Sequence, residues 1–216
     1  MRTQEPQPAW MRRSVDRSLH TARQRAGQRA NRFLDAAQAA ITEKGSTDIT
    51  VLEVVERAGQ SLTSFYTRFN GKHELLLALY EETLDRTVDQ IRAATANYDD
   101  PIAKLRIAVE LLFQLCRPDP GTYRPLFTEF APQLLRADPA AVRKAHASHF
   151  TLFTELLTDA ADSGLLAPDA NPRRLAAITM QAVMYIARPT AADDTDPIDA
   201  ADVWRFCAAG LTGDPH

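Results

Sequence analysis

The sequence predicts an all-α protein, with a small N-terminal domain built around two short helices and a larger helical domain after it. Three observations predict this. Apolar residues recur at helical spacing along nearly the whole chain, and no stretch alternates β-branched and polar residues as a half-buried strand does. Asp100-Pro101, Asp138-Pro139, Asn171-Pro172 and Asp196-Pro197 each set a short polar cap before a proline, and each precedes a periodic apolar stretch. Proline suits the first helical position because the N–H it lacks has no helical partner there. Finally, Ala58-Gly59-Gln60 makes a tight turn between two short helical segments.

The elements follow in order. A first helix is expected from about residue 23 to Lys44. Phe33, Leu34, Ala37, Ala40 and Ile41 form its apolar face, and Gly45 is its natural stop. A second starts at Thr50, where Thr50-Val51-Leu52-Glu53 reads as a capping box. A third, short helix is expected over about Ser61 to Arg68. Asn70-Gly71 breaks the chain, and a long helix follows over about Lys72 to Ala96, burying Leu76, Tyr80, Leu84, Val88 and Ile91. The capped prolines place further helices near 101–116, 139–161, 172–187 and 197–210. Pro118-Asp119-Pro120-Gly121 is a break, with a helix near 122–135 after it.

Composition bounds the class. The chain has 216 residues, 45% of them hydrophobic, enough for one small domain joined to a larger one. Cys116 and Cys207 are the two cysteines, which make neither a disulfide framework nor a zinc site and fit a reducing cytoplasm. No apolar run approaches a membrane span, and the basic N-terminus lacks the apolar core of a secretory signal, so no membrane partner is expected. The net charge is -3, but it is unevenly spread. Residues 1–80 carry 12 lysines and arginines against 8 aspartates and glutamates; the remainder carry 13 against 20. Arg2, Arg12, Arg13, Arg17, Arg23, Arg25, Arg29 and Arg32 precede residue 33, with Glu5 and Asp16 opposing them. A basic front on an acidic body suits a protein that touches a polyanion at one end; a solvated basic tail is the plainer alternative.

Two short helices about a glycine-containing turn form a helix-turn-helix, whose second helix fits the major groove of double-stranded DNA. A plain helical hairpin in an all-α core is the competing reading. On the first reading the helix opening at Ser61 offers Leu62, Thr63, Ser64 and Thr67 to bases. Tyr66 by its hydroxyl, Arg68 and Lys72 by charge, and Thr50 at a helix N-terminus suit phosphates.

The local sequence carries a more specific signal. Phe33-Leu34-Asp35-Ala36-Ala37, Gly45, Thr50, Ala58-Gly59 and Ser64-Phe65-Tyr66-Thr67-Arg68-Phe69-Asn70-Gly71-Lys72 resemble the DNA-binding domain of the TetR family of transcriptional regulators. The resemblance covers roughly residues 28–78. It implies that the aromatic-tyrosine pair closes the recognition helix, that Tyr66 and Lys72 contact phosphate, and that Leu62, Thr63 and Thr67 lie where bases are read. Two departures stand out. Gln60 replaces the family's usual valine under the turn, and Leu62 and Thr63 replace commoner polar and small residues. Leucine offers no hydrogen bond to a base, only contact with a thymine methyl or packing. The domains expected are therefore a basic extension over 1–22 (minor-groove arm, helix extension or disordered tail), a helix-turn-helix domain over 23–72, and a ligand-binding and dimerisation domain over 73–216.

For that last domain the resemblance implies a ligand cavity and a two-helix dimer face. The helices near 101–116, 122–135 and 139–161 supply Leu105, Val109, Phe113, Cys116, Tyr123, Phe127, His149, Phe150 and Phe153 to an apolar or aromatic effector site, with Met180 and Met184 from the helix near 172–187. Each is also an ordinary core residue. Ile178, Val183, Val203, Trp204, Phe206 and Cys207 lie on two helices apolar around much of their circumference, more than one core face needs; a homodimer would bury the surplus. His146 and His149 sit three apart, a spacing that could hold a metal, but no third ligand is evident and none is expected. Asp193, Asp194, Asp196 and Asp199 read as a solvated loop with a helix cap. No nucleophile elbow, P-loop, dinucleotide fingerprint or zinc-protease motif is present, so neither an enzyme nor a cofactor is expected. The acidic body also argues against a protein that coats DNA generally. The chain reads as a ligand-responsive, sequence-specific transcriptional regulator, a cytoplasmic repressor being the expected form.

Overall fold

The computed structural model describes residues 9–117, 124–167, 169–187 and 197–212. Among the described residues are ten α-helices, one π-helical turn and no strand. None of these helices is long and apolar enough to cross a membrane. The helices divide into two compact units. The first holds α1 (Ala9–Lys44), α2 (Val51–Arg57), α3 (Leu62–Tyr66) and the start of α4 (Lys72–Thr95) as far as Leu79. The second takes loop residues 45–47 and the chain from Tyr80 onward.

In the first unit, α1 begins at Ala9, earlier than the start near residue 23 read from periodicity, so the basic stretch from Ala9 is helical. Phe33, Leu34, Ala37, Ala40 and Ile41 are buried as their spacing predicts, and α1 ends at Gly45, whose φ of 64° an L side chain would resist. The core is aromatic. Phe33 of α1 meets Phe65 of α3 edge-on at 5.4 Å and 87°, and Phe69 packs 5.4 Å from Phe65 and 6.2 Å from Phe33. Edge-to-face rings add about 0.5–1.5 kcal/mol beyond area burial. This matters for α3, whose five residues are too few to hold a helix unaided.

The second unit packs α5 (Pro101–Cys116), α8 (Ala147–Asp162), α9 (Pro172–Ile186) and α10 (Ala200–Thr212) around one core that includes Leu105, Val109, Phe113, Phe153, Met180 and Val203. Asp100, Asp138 and Asn171 cap α5, α7 (Pro139–Ala145) and α9 through their side chains, each with proline at the first position, as expected. The fourth such pair behaves otherwise. α10 opens at Ala200, and its cap is Asp199, which accepts from Asp202 N at 2.8 Å while Asp202 accepts from Asp199 N at 3.1 Å. That reciprocal box satisfies two backbone donors, so Pro197 stays outside the helix.

Two further helices differ from expectation. The one expected near 122–135 is a π-helical turn, Leu126–Phe130, followed by α6 (Ala131–Ala137). Pro132 has no N–H for the carbonyl one turn back, and Ala131 N–H reaches Leu126 O instead. The long helix expected over 139–161 breaks at His146, where ψ is 6°. The π turn also carries a carboxylate with three partners: Ser46 Oγ, Thr47 N and Thr47 Oγ1 donate to Glu129 Oε2 at 3.1, 2.8 and 2.8 Å.

Candidate nucleic-acid interface

Thr50 builds the α2 end of the site. Its hydroxyl oxygen accepts from Glu53 N at 3.2 Å, and Glu53 Oε2 accepts from Thr50 N at 2.7 Å, completing the capping box. Lys44 Nζ binds the other carboxylate oxygen at 2.6 Å. The Lys44 ammonium first, then the Thr50 N–H, holds the Glu53 carboxyl down at about 2. Thr50 Oγ1 also lies 3.0 Å from Glu53 Oε2. Thr50 was expected at a phosphate, yet its polar atoms are engaged within the helix end.

The turn from α2 to α3 is fixed by glycine. Gly59 has φ 61°, with Gly59 N donating to Glu56 O at 3.1 Å and Gln60 N to Val55 O at 3.1 Å. This is the paired-bond helix stop that needs a left-handed residue. Gln60, the departure from the family pattern, has its own task. Its Nε2 donates to Arg29 O at 2.9 Å, and its Oε1 accepts from Ser64 Oγ at 3.2 Å. A hydrogen-bonded bridge thus runs from α1 to α3 at this position. The identity of Gln60 marked the position as unusual, but the bridge itself was not legible.

α3 starts at its cap Ser61, which accepts from Ser64 N at 3.1 Å. Phe65 points into the core, with no exposed surface. The opposite face carries Leu62, Thr63, Tyr66 and Thr67, all exposed, Tyr66 by 58%. Ser64, expected on that face, is half-buried with its hydroxyl turned to Gln60, because α3 needs that contact to seat on α1. Thr67 Oγ1 donates back to Thr63 O at 2.7 Å, which leaves its oxygen lone pairs and methyl outward. Arg68 is half-buried and Nη1 donates to Ser64 O at 3.3 Å. Lys72 Nζ stands 3.5 Å from Asp48 Oδ1; the Asp48 side chain is 92% exposed, so solvent screens the pair. The site therefore assembles an outward helix face between an exposed tyrosine and a screened lysine, a geometry suited to bases in the middle and phosphates at the edges.

The residues expected at an effector site lie in the second unit. Leu105, Val109, Phe113, Phe153 and Met180 belong to its buried core, and Cys116, Phe150 and Met184 pack against it half-buried. The Arg173 guanidinium lies 5.0 Å over the Phe150 ring. Phe127 sits edge-on to Tyr80 at 5.5 Å, and His149 is fully buried. Tyr123, Asp193, Asp194 and Asp196 lie outside the described residues. Among the described residues, no three metal-ligating side chains gather, around His146 and His149 or elsewhere.

The residues expected at a dimer face separate. Ile178 and Phe206 are exposed by 64% and 68%, and Trp204 is half-buried. Val183, Val203 and Cys207 are instead buried in the unit's own core, which α9 and α10 share with α5 and α8. Tyr185, missed in the sequence, is 73% exposed two turns from Ile178.

Residues 33–79 match the family model described as bacterial regulatory proteins, tetR family. The chain is 28% identical over 178 residues to the HTH-type transcriptional activator FasR of Mycolicibacterium smegmatis, covering 80% of this chain and 76% of FasR. Two solved structures share the fold. The transcriptional regulator FadR from Bacillus subtilis, in complex with stearoyl-CoA, aligns with a TM-score of 0.58 at 15% identity, over 86% of this chain and 98% of that one. SmeT, the repressor of the SmeDEF multidrug efflux pump of Stenotrophomonas maltophilia, aligns with a TM-score of 0.60 at 21% identity, over 86% and 91%. At these identities the structures speak to fold alone; the helix-turn-helix geometry and the matched domain carry the assignment. Residues 33–79 are thus a DNA-binding domain of the tetR type, and the relatives that the chain resembles are transcriptional regulators rather than enzymes.

Proposed function

We propose that this regulator is a homodimeric, cytoplasmic repressor that reads double-stranded operator DNA through α3 and leaves it when a small apolar or aromatic molecule binds the second unit. The observation that carries the DNA reading is the solvent face of α3. Leu62, Thr63, Tyr66 and Thr67 point outward while Phe65 anchors the helix behind them. On this reading Thr63 and Thr67 meet base edges and Leu62 a thymine methyl; Ser61, Ser64 and Arg68 support the helix, and Tyr66 and Lys72 hold phosphates. Thr50 positions α2 rather than binding phosphate.

Exposed apolar surface supports a homodimer. Ile178, Tyr185 and Phe206 stand in solvent on α9 and α10, and a second copy would cover them. Val183, Val203 and Cys207 then support the face from behind. A two-fold dimer presents two recognition helices, which must lie about 34–36 Å apart to enter successive major grooves.

Release requires an effector that binds one conformation better than another. FadR of B. subtilis is described with stearoyl-CoA, and SmeT is described as a repressor; both support the same reading here. FasR, an activator by name, supports the opposite sign of regulation. The experiment is a titration of effector with and without operator DNA. A coupling of about 1–3 kcal/mol weakens operator binding roughly 5–150-fold, and operator must weaken effector binding by the same factor. Equal effector affinity in both titrations overturns ligand-driven release, and tighter operator binding with effector present marks an activator.

A further inference from the structure

Two histidines of the second unit, His146 half-buried and His149 fully buried, each carry a buried ring nitrogen with no hydrogen-bond partner among the described residues. His146 ends α7 and His149 lies one turn further on, in α8; their ring centroids are 5.9 Å apart. Each is held from the same side by a hydroxyl of α4. Tyr80 Oη lies 3.0 Å from His146 Nε2, and Thr87 Oγ1 lies 2.6 Å from His149 Nε2. Tyr80 and Thr87 are two turns apart on one face of that helix. Phe127 and Phe130 of the π turn stand edge-on to the Tyr80 ring at 5.5 and 6.3 Å. Nδ1 of both imidazoles is buried and unpaired. More than nine in ten buried polar groups find a partner, and leaving one unpaired costs about 1–3 kcal/mol, so two on neighbouring imidazoles call for an explanation.

The hydrogen bonds fix the sense of one of them. Thr87 Oγ1 also lies 2.7 Å from Leu84 O, which can only accept. A hydroxyl has one proton, and both contacts need one. The threonine proton must therefore go to Leu84 O, and His149 must donate from Nε2–H to the threonine oxygen. Any other arrangement sets two lone pairs against each other at 2.7 Å. With its proton on Nε2, His149 keeps a bare lone pair at Nδ1. Burial holds this imidazole down at about 4, so near neutral pH it carries that single proton.

We infer that His149 Nδ1, with His146 beside it, is the hydrogen-bond acceptor that selects the effector, and that the effector class is a neutral aromatic molecule bearing a hydroxyl. The inference rests on the ligand-release reading above. A carboxylate brings only lone pairs to Nδ1 and an uncompensated charge to a buried site; an ether brings lone pairs alone. A phenolic O–H supplies the missing proton, and its ring joins Tyr80, Phe127 and Phe130.

The test uses the full chain and three probes of one shape: 1-naphthol, 1-methoxynaphthalene and 1-naphthoate, titrated by calorimetry near neutral pH. 1-Naphthol is expected to bind about tenfold or more tighter than the other two. In Thr87→Val the imidazole is released from its tautomer, and the preference for naphthol over the ether should shrink several-fold, an effect that loss of packing alone would not produce. Nitrogen-15 NMR of the wild type checks the starting point without a variant. His149 should be protonated at Nε2, and its Nδ1 resonance should shift on adding 1-naphthol. Equal affinity for the three probes, no binding of 1-naphthol, or an Nδ1-protonated His149 overturns the inference. Selective naphthol binding that leaves operator affinity unchanged upholds it while sinking ligand-driven release.

Discussion

His146, half-buried, and His149, fully buried, make stability fall as the solution is acidified through the range where histidine titrates. Desolvation pushes both His146 and His149 down from 6.5 to about 4. Between those values the unfolded chain binds protons that the folded chain refuses. Stability therefore rises with pH across this window and is lost as pH falls through it. A shift of that size is worth about 3 kcal/mol per histidine once the pH is below both values. At about pH 5.5, one unit below the unfolded value, each histidine costs about 1.4 kcal/mol, together nearly 3. A typical domain has only about 5–15 kcal/mol to lose. Glu53 adds nothing here, because its lowered value of about 2 makes its contribution fade only below 4.5. The assay is urea unfolding followed by helical circular dichroism, at fixed protein concentration, near pH 7.5 and near pH 5.5. The wild type should lose about 2–3 kcal/mol, and the double variant His146→Gln, His149→Gln should lose much less. A wild-type stability unchanged between the two conditions would refute the claim that these imidazoles are neutral because they are buried.

Three further outcomes follow from named contacts. Gln60→Ala removes the bridge between Arg29 O and Ser64 Oγ and should cost about 1–2 kcal/mol in thermal unfolding, with operator affinity falling as α3 loosens; an unchanged melting curve would remove the bridge from the account. Thr50→Ala should cost about 1 kcal/mol through loss of the capping box and leave the salt dependence of DNA binding as it was, whereas a reduced salt slope would restore Thr50 to the phosphate contacts. Phe206→Arg places a charge on the exposed face of α10, and light scattering at micromolar concentration should show a dimer become monomer or aggregate; a wild-type monomer would refute the dimer.

What the sequence disclosed and what it withheld divide along physical lines. Local rules were legible. The Thr50-Glu53 box, the Gly45 and Gly59 stops and three of the four polar-proline caps depend on residues within a turn of one another, and they stand where the sequence put them. Competition between two local rules was not. At Asp196-Pro197 the Asp199–Asp202 box three residues on takes the helix start, and at Pro132 the chain answers a missing N–H with a π turn. Tertiary choices were least legible. Periodicity marks α9 and α10 as apolar on more than one face, but not which face packs at home, and Val183, Val203 and Cys207, expected at a dimer face, are buried in the unit's own core. Ser64 shows the same limit on α3. A helix of five residues has little surface, and the half of it that seats on α1 is decided by Gln60, a contact across 31 residues from Arg29.

Selection of DNA sites from a random duplex library tests the DNA-reading claim most directly, with the wild type beside the Tyr66→Phe, Lys72→Ala double variant. The wild type should enrich an inverted repeat whose half-sites lie one helical turn or a multiple apart. The double variant should bind that site more weakly at moderate salt, with a salt slope reduced by about one unit for Lys72 and an unchanged sequence preference. Enrichment of no common sequence by the wild type, or undiminished affinity in the double variant, would contradict the assignment of α3 and its flanks as the surface that reads DNA.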